Sequence, residues 1–225
     1  MSAGPALTPP AVEVLEAAAA LVGEGLVNAF GHVSVRQPDS FLITPPVPLG
    51  TLTSGSALLS VPLDSVALPA GVPPEAWLHA GIYRARPDVG AVVRAQPAAA
   101  TVLAASGRPL RALHGQGVLA GWRVPVHPDA RLARSRAAGE TIAASLGGAP
   151  SVLLRGNGAV TTGSHPGVAA ARMWALESSA ALNVSLLHLT DLPGLTDVEV
   201  EYWAAVSDEL LERLWNHLRS RHPAA

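Results

Sequence analysis

The order of apolar and polar positions alternates between helical and extended spacing along the whole chain. Apolar residues recur at helical spacing after two proline pairs, which predicts helices over residues 11–23 and from 73–74 to 84 or 86. The same spacing predicts further helices over 98–105, 130–146, 167–189 and 199–219. Short apolar and β-branched runs predict strands at 32–36, 41–44, 58–61, 91–94, 151–155 and 159–161. The pattern indicates an α/β fold with a sheet flanked by helices.

Local patterns within these elements make finer predictions. The first helix is predicted to bury a face formed by Val12, Leu15, Ala19 and Val22. Glu75 and His79 lie four residues apart on the second helix, so they share one face, with Glu75 in its first turn. Asn157 lies between two glycines where a strand pair bends, and it is most simply a left-handed turn residue.

Length, charge and hydropathy narrow the class of protein. The chain has 225 residues, 49% of them apolar, and a formal net charge of −2. That length is enough to bury a core, and one domain over residues 1–225 is the simplest expectation. The charge does not favour nucleic acid or an anionic membrane as a partner. No apolar run reaches ~20 residues, and Met1–Pro10 lacks a leader pattern, so a cytoplasmic protein is expected.

Two residue types are missing, and each absence excludes a class of chemistry. Without cysteine there is no thiol nucleophile, disulfide or thiolate metal site. All 15 basic residues are arginine, so a lysine Schiff base and a lysine-containing phosphate loop are excluded. The remaining chemistry must use histidine, carboxylates, arginine, hydroxyls, amides or a bound metal.

Neither the histidines nor the polar strand ends specify a site by local spacing alone. The eight histidines form no H-x-H or H-E-x-x-H motif, so local spacing predicts no zinc site. Arg94 ends an apolar strand two residues before Gln96. A charged group there is either solvated or lines a cleft at the strand ends.

Five segments nevertheless form a recognisable series in chain order. They are Glu24-Gly25-Leu26-Val27 with Gly31-His32-Val33-Ser34-Val35-Arg36, Phe41-Leu42-Ile43-Thr44-Pro45, Pro74 to Tyr83 with Glu75 and His79, Tyr83 to Val93, and Val152-Leu153-Leu154-Arg155-Gly156-Asn157-Gly158. Over residues 11 to about 190 this series resembles the class II aldolase/adducin family.

The resemblance implies a fold and a chemistry. The fold is a three-layer α/β/α domain of the fuculose-phosphate aldolase type, with a central, largely antiparallel sheet, followed here by the C-terminal helix at 199–219. The family commonly forms cyclic homotetramers with sites at subunit interfaces. Its enzymes cleave, epimerise, dehydrate or decarboxylate small molecules, using a divalent metal held by three histidines and a glutamate as acid or base.

This sequence departs from the family where the metal and the phosphate are bound. The three ligand positions hold Arg94, Gln96 and Asn157, and a permanent cation with two amides predicts no metal and no other cofactor. In the phosphate cradle His32 replaces an asparagine, and Pro73-Pro74 replace serines, which removes hydrogen-bond donors. The sequence is interpreted as a divergent member that lacks the metal-binding histidines.

Three hypotheses follow. In the first, the chain is a metal-independent lyase or isomerase acting on a non-phosphorylated anionic or carbonyl compound. Glu75 and His32 then move the proton, and Arg94, Gln96 and Asn157 bind the substrate. In the second, the chain is a non-catalytic, adducin-like binding or assembly protein, in which Arg94 pairs with Glu75 and closes the old site.

The third hypothesis is a metal-assisted lyase with a rebuilt site. Its ligands are drawn from His32, His79, His114 and His127 together with Glu75. Against it, His79 and His114 fall where the family often has histidines that bind no metal, which favours structural roles for both.

Overall fold

Helices and strands follow one another through the chain, as the apolar spacing predicts. The computed structural model describes residues 8–189 and 194–224. The α-helices are α1 (Pro9–Gly23), α2 (Ala76–Ala85), α3 (Ala98–Ala105), α4 (Arg136–Leu146), α5 (Pro166–Ser185), α6 (Asp197–Ala204) and α7 (Ser207–Arg221). The strands are β1 (His32–Arg36), β2 (Ser40–Ile43), β3 (Leu59–Pro62), β4 (Ala91–Ala95), β5 (Leu110–Arg111), β6 (Arg123–Val124), β7 (Val126–His127), β8 (Ser151–Leu154) and β9 (Gly158–Gly163). Short 3-10 helices lie at Leu49–Thr51 and Gly115–Ala120.

Seven of the strands form one sheet in the order β3-β2-β1-β4-β9-β8-β7. Its neighbouring pairs are antiparallel except β7 with β8, which is parallel. The prediction of a largely antiparallel sheet is therefore confirmed. The two-residue strands β5, β6 and β7 were not predicted, because runs that short carry no period-two signal.

Helices cover both faces of this sheet, and the alternation of side chains along β1 shows how. Val33 and Val35 point to one face, where they join a core built with α1, α3, α5 and α7. Ser34 points to the other face, toward His79 of α2, and α2 packs against α4 there. The predicted α/β/α layering is thus confirmed, and the second face combines apolar packing with the buried polar side chains His32, His79 and Arg94.

The predicted helix boundaries differ most from the structure in two places, while α5 ends at Ser185 rather than at residue 189 and α2 begins at Ala76. The helix predicted from residue 130 begins only at Arg136, because the Ser135 side chain accepts a hydrogen bond from the Ala138 N–H and caps it. The helix predicted over 199–219 is two helices, α6 and α7, separated at Ala205 and Val206. A capping box starts α6 at Thr196.

The buried face of α1 also differs from the prediction. Leu15 is buried as predicted, but Val12 is 41% exposed and Ala19 and Val22 are only partly buried. Val14 and Leu21 are buried against the core instead. Because this helix is rich in alanine, several of its faces are almost equally apolar. Packing against the sheet, rather than the local sequence pattern, determines which face is buried.

In the described ranges, no helix combines the length and the apolar character that a membrane crossing requires. The expectation of no leader at Met1–Pro10 falls mostly on residues 1–7, which lie outside the described residues.

Candidate functional site

An open cavity of about 660 Å³ lies at the start of β1, where the turn between β8 and β9 and the segment before α2 meet. All five side chains that the sequence analysis assigned to a site line it. They are His32, Glu75, Arg94, Gln96 and Asn157. The structure therefore brings together residues that are up to 125 positions apart in the chain, from His32 to Asn157.

Arg94 is the buried cation of this cavity. It lies on β4 directly opposite His32 of β1, and only 4% of it is exposed. Its Nη2 donates hydrogen bonds to the backbone oxygen of Asn157, at 3.2 Å, and to Asn157 Oδ1. Burial lowers the pKa of Arg94, and the nearby Glu75 carboxylate partly offsets this. Among the described residues no carboxylate lies within 4 Å of this guanidinium, so it has no ion-pair partner there.

Asn157 is held over Arg94 by its turn, although not in the way predicted. The left-handed backbone conformations belong to Gly156 (φ 69°) and Gly158 (φ 83°), and Asn157 has none. A Cβ on Gly158 would lie 2.1 Å from the Ala95 carbonyl oxygen, so the turn presses against the end of β4. Asn157 Oδ1 accepts a second hydrogen bond from Gln96 Nε2, at 3.0 Å.

Glu75 lies at the rim and pairs with an arginine that the sequence analysis missed. It immediately precedes α2 rather than standing in its first turn. Its Oε1 accepts a hydrogen bond from Arg134 Nε at 3.1 Å. The ion pair between Arg94 and Glu75 expected for a closed site is therefore not formed. The helix predicted over 130–146 wrongly included the loop that carries Arg134. Ser135, a residue type that favours helix N-caps, is the sequence signal that marks the actual start of α4.

His32 is buried and neutral at physiological pH. It is 8% exposed, and burial together with the neighbouring positive charge of Arg94 lowers its pKa to about 4. Glu75 acts in the opposite direction but less strongly. The His32 Nδ1 atom is buried and has no hydrogen-bond partner in the described part of the chain. A neutral imidazole of this kind can accept or donate a proton in the cavity.

His79 lies behind the cavity and is fully buried. Its Nδ1 is 2.7 Å from Ser34 Oγ, which is 2.8 Å from the Tyr83 hydroxyl oxygen. Burial lowers the pKa of His79 well below its usual value, with smaller effects from His32 and Arg94. These contacts tie α2 to β1, and they support the predicted structural role of His79.

The remaining histidines of the rebuilt-site hypothesis lie elsewhere. His127 is on β7 and bonds through Nδ1 to Ser145 Oγ at 2.8 Å, and His114 precedes the 3-10 helix at Gly115–Ala120. Within residues 8–189 and 194–224, no three histidine or carboxylate side chains are placed to hold a metal ion.

The walls of the cavity are mostly apolar. They are formed by Ala29, Phe30, Gly31, Pro46, Val47, Pro48, Pro73, Pro74 and Leu132. Proline has no N–H group, so the four prolines among these residues cannot donate a backbone hydrogen bond to an anion. The polar groups are thus concentrated at the end that contains Arg94, Gln96 and Asn157 and at the rim that contains Glu75 and Arg134.

Comparisons with known proteins agree with this architecture. Residues 12–184 match the family described as the class II aldolase and adducin N-terminal domain. The 3,4-dihydroxyphthalate decarboxylase of Arthrobacter keyseri is 29% identical over 226 residues, covering 91% of this chain and 90% of that protein. The enzyme of the same name from Terrabacter sp. is 29% identical over 210 residues, covering 82% and 88%.

Among solved structures, the L-fuculose-1-phosphate aldolase of Thermus thermophilus superposes with a TM-score of 0.70. It is 31% identical and covers 81% of this chain and 97% of its own. The match over 12–184 and the shared fold place the five cavity side chains on a known scaffold. This chain belongs to the class II aldolase/adducin family.

Proposed function

We propose that this chain is a metal-independent lyase that acts on a small, non-phosphorylated molecule whose carboxylate is attached to the carbon next to a carbonyl or hydroxyl-bearing carbon. One observation carries the proposal. Arg94 is 4% exposed, borders an open cavity, and has no carboxylate partner among the described residues. A buried cation without a counter-ion costs several kcal/mol, and an anionic ligand would supply that counter-ion.

Decarboxylation is the favoured reaction. The relatives from Arthrobacter keyseri and Terrabacter sp. are named as decarboxylases of an aromatic dihydroxy dicarboxylate. That name supports a lyase over an isomerase here. The apolar walls suit the flat carbon skeleton of such a compound, and the prolines in them disfavour a phosphate group.

The residues at the family's metal position do not fit a divalent cation. Arg94 is permanently charged and offers no lone pair. The amide oxygen of Asn157 already accepts N–H donors from Arg94 and Gln96, so it is not free to bind a metal. The proposed reaction therefore has no step at a metal or at another cofactor.

Arg94 supplies the positive charge that a metal ion would otherwise provide. Its described hydrogen bonds all leave from Nη2, so Nε and Nη1 remain for a substrate carboxylate or for the oxygen on which charge develops. Asn157 and Gln96 hold the guanidinium in place. The NH₂ group of Asn157 remains as a further donor.

Glu75 and His32 move the proton. In the proposed step on an ortho-hydroxy acid, His32 accepts the hydroxyl proton, and Glu75 delivers a proton from solvent to the ring carbon that carries the carboxylate, which gives a β-keto acid. The bond between that carbon and its carboxylate then breaks, carbon dioxide leaves, and the electron pair is held as an enolate whose oxygen is bound by Arg94 and regains the proton from His32. Solvent reaches the 14% exposed Glu75 side chain at the rim. An anion beside Arg94 would raise the pKa of His32 and make it a better acceptor.

The open cavity favours this function over the non-catalytic alternative, which predicted a site closed by an ion pair between Arg94 and Glu75. The homotetramer and the cytoplasmic location remain predictions from the sequence. The small-molecule substrate is the one partner that this function requires.

The test is a carbon dioxide release assay on protein treated with a chelator, after elemental mass spectrometry of the untreated protein. The substrates are 3,4-dihydroxyphthalate and a panel of ortho-hydroxybenzoates and β-keto acids. We expect turnover to survive the chelator and to fall at least 100-fold in Glu75→Gln, since general acid catalysis contributes about 10²–10⁴-fold. Near one equivalent of metal per chain, with activity lost on chelation, would contradict the proposal.

A further inference from the structure

A second arginine at the cavity has a fixed backbone and a free side-chain end. The Arg134 N–H donates to the Leu132 carbonyl at 2.9 Å, and the next residue, Ser135, caps α4. The Arg134 side chain, however, is 58% exposed and makes a single described hydrogen bond, from Nε to Glu75 Oε1. Its position at the rim is therefore fixed, while its guanidinium can change partners.

The charges of the cavity are unbalanced without a ligand. Arg94 and Arg134 contribute two positive charges and Glu75 one negative charge, while His32 is neutral near pH 7 because its pKa is about 4. A ligand with one carboxylate at Arg94 would cancel the excess and leave Arg134 on Glu75. Only a second carboxylate would compete with Glu75 for the Arg134 guanidinium.

We propose that Arg134 is a specificity-determining residue that selects substrates carrying two carboxylates. The first carboxylate binds Arg94, and the second draws Arg134 away from Glu75 and binds its Nη1 and Nη2 groups in the paired geometry that arginine favours. This inference rests on the proposed function, because it needs a first carboxylate at Arg94.

Two features of the rim lower the free-energy cost of moving Arg134 from Glu75 to a second carboxylate. An ion pair with one exposed partner and a single hydrogen bond is weak, because water screens it and both side chains lose freedom in forming it. Leu132, close to Arg134 in the same loop, adds an apolar wall beside the position of the second carboxylate. The exchange also releases Glu75, the residue proposed to deliver the proton, only when the dicarboxylate is bound.

The same loop supplies a matched control. Arg131 carries the same charge three residues earlier, but Asp129 binds it through two nitrogens, with its Nη2 2.6 Å from Asp129 Oδ2. It lines a neighbouring cavity, which shares Leu132 and Arg134 with the first, and it does not line the cavity at Arg94. Arg131→Gln therefore removes one positive charge from this loop without changing the residues around Arg94.

The experiment is a calorimetric titration of the full chain with benzoate and with phthalate, which share a ring and differ by one carboxylate. The variants are Arg134→Gln, Arg134→Lys and Arg131→Gln. We expect wild type to bind phthalate at least tenfold more tightly than benzoate. Arg134→Gln should lose this preference while its benzoate affinity changes less than about threefold. Arg134→Lys should keep part of the preference, and Arg131→Gln should keep all of it.

Four outcomes would overturn the inference, and they differ in what else they affect. Equal binding of both ligands by wild type, or an unchanged preference in Arg134→Gln, removes the role of Arg134 and leaves the carboxylate site at Arg94 intact. Loss of the preference in Arg131→Gln as well would show that loop charge alone is responsible. Binding of neither ligand by wild type would overturn the proposed function together with the inference.

Discussion

Two cavities lie at opposite ends of β1, and each contains an arginine from the same face of the sheet. The larger, about 710 Å³, contains Arg36, and the smaller, about 660 Å³, contains Arg94. Arg36 donates from Nε and Nη2 to three main-chain carbonyl oxygens, those of Val89, Tyr83 and Arg86, at 2.6–2.9 Å. The donors of Arg94 go to Asn157 alone, from a single nitrogen.

The difference between the two arginines identifies the functional cavity better than volume does. A guanidinium whose N–H groups are satisfied by carbonyls holds strands and helices together, and it has little left for a ligand. A buried guanidinium with unused donors and no carboxylate partner in the described chain still needs an anion. The smaller cavity is therefore the candidate site, and the contrast can be tested directly.

The largest expected effect is on the activity of Arg94→Met. Removing a buried cation from a bound anion costs about 2–5 kcal/mol, so we expect kcat/KM in the carbon dioxide assay to fall about a thousandfold. The free energy of unfolding in urea should stay the same or rise, because a desolvated charge has been replaced by an apolar side chain. A loss of stability of more than about 2 kcal/mol would mean that Arg94 holds the fold, as Arg36 does.

The reciprocal substitution, Arg36→Met, should destabilise the protein without disabling the site. It leaves three carbonyl oxygens without their charged donor, and hydrogen bonds to charged groups contribute about 1.5–3 kcal/mol each. Because Arg36 is only partly buried, water can replace part of these bonds. We therefore expect the free energy of unfolding to fall by about 3–5 kcal/mol, less than the full sum, while the affinity for a carboxylate at 10 °C changes less than about threefold. A neutral effect on stability would remove the contrast between the two cavities.

The sequence predicted five of the side chains that line the candidate site but not their geometry. Strand periodicity and the family motifs placed His32 and Arg94 near strand ends, and the antiparallel register brings them opposite each other. Asn157 was interpreted as a left-handed turn residue because it lies between glycines. In the structure those glycines supply the unusual backbone, which leaves its side chain free to bind Arg94.

A loop accounts for the side chain of the candidate site that the sequence did not predict. Arg134 is 59 residues from Glu75 along the chain, and no local pattern couples them. Helical spacing extended α4 back to residue 130, although the Ser135 cap delays its start to Arg136. Among the hypotheses, only the non-catalytic one gave Glu75 a partner, and that partner was Arg94, the cation at a family ligand position. Side chains from loops are placed by tertiary packing, so this part of the site required the structure.

The loss of stability at low pH should depend on His32 and Arg94 in the smaller cavity. The pKa of His32 is lowered from 6.5 to about 4, chiefly by burial and then by Arg94. A histidine with a depressed pKa leaves stability intact above pH 6.5, and the stability is lost as the pH falls from there through 4. Wild type should lose about 3 kcal/mol more than His32→Asn between pH 7 and pH 4, since each pKa unit corresponds to about 1.4 kcal/mol. Equal losses would mean that His32 is not buried beside a cation.

The stability contributed by His165 in the larger cavity should depend on pH in the opposite direction, and more weakly. His165 lines it, with Nδ1 2.6 Å from Glu13 on α1 and Nε2 2.7 Å from Glu212 on α7. Hydrogen bonding to Glu13, and then to Glu212, outweighs burial and raises the pKa of His165 to about 9. The resulting stability is complete below pH 6.5 and is lost as the pH rises through 9.

Because the His165 side chain is 30% exposed, solvent screens these pairs, and we expect wild type to lose only about 1 kcal/mol more than His165→Asn between pH 7 and pH 10. Urea unfolding at both pH values measures the difference. If the two proteins lose stability equally, the bridge between α1 and α7 is not formed in solution. The expected result would show that His165 of the larger cavity is already paired with carboxylates. An anion would then gain little from His165, whereas beside Arg94 it would meet a cation with no carboxylate partner in the described chain.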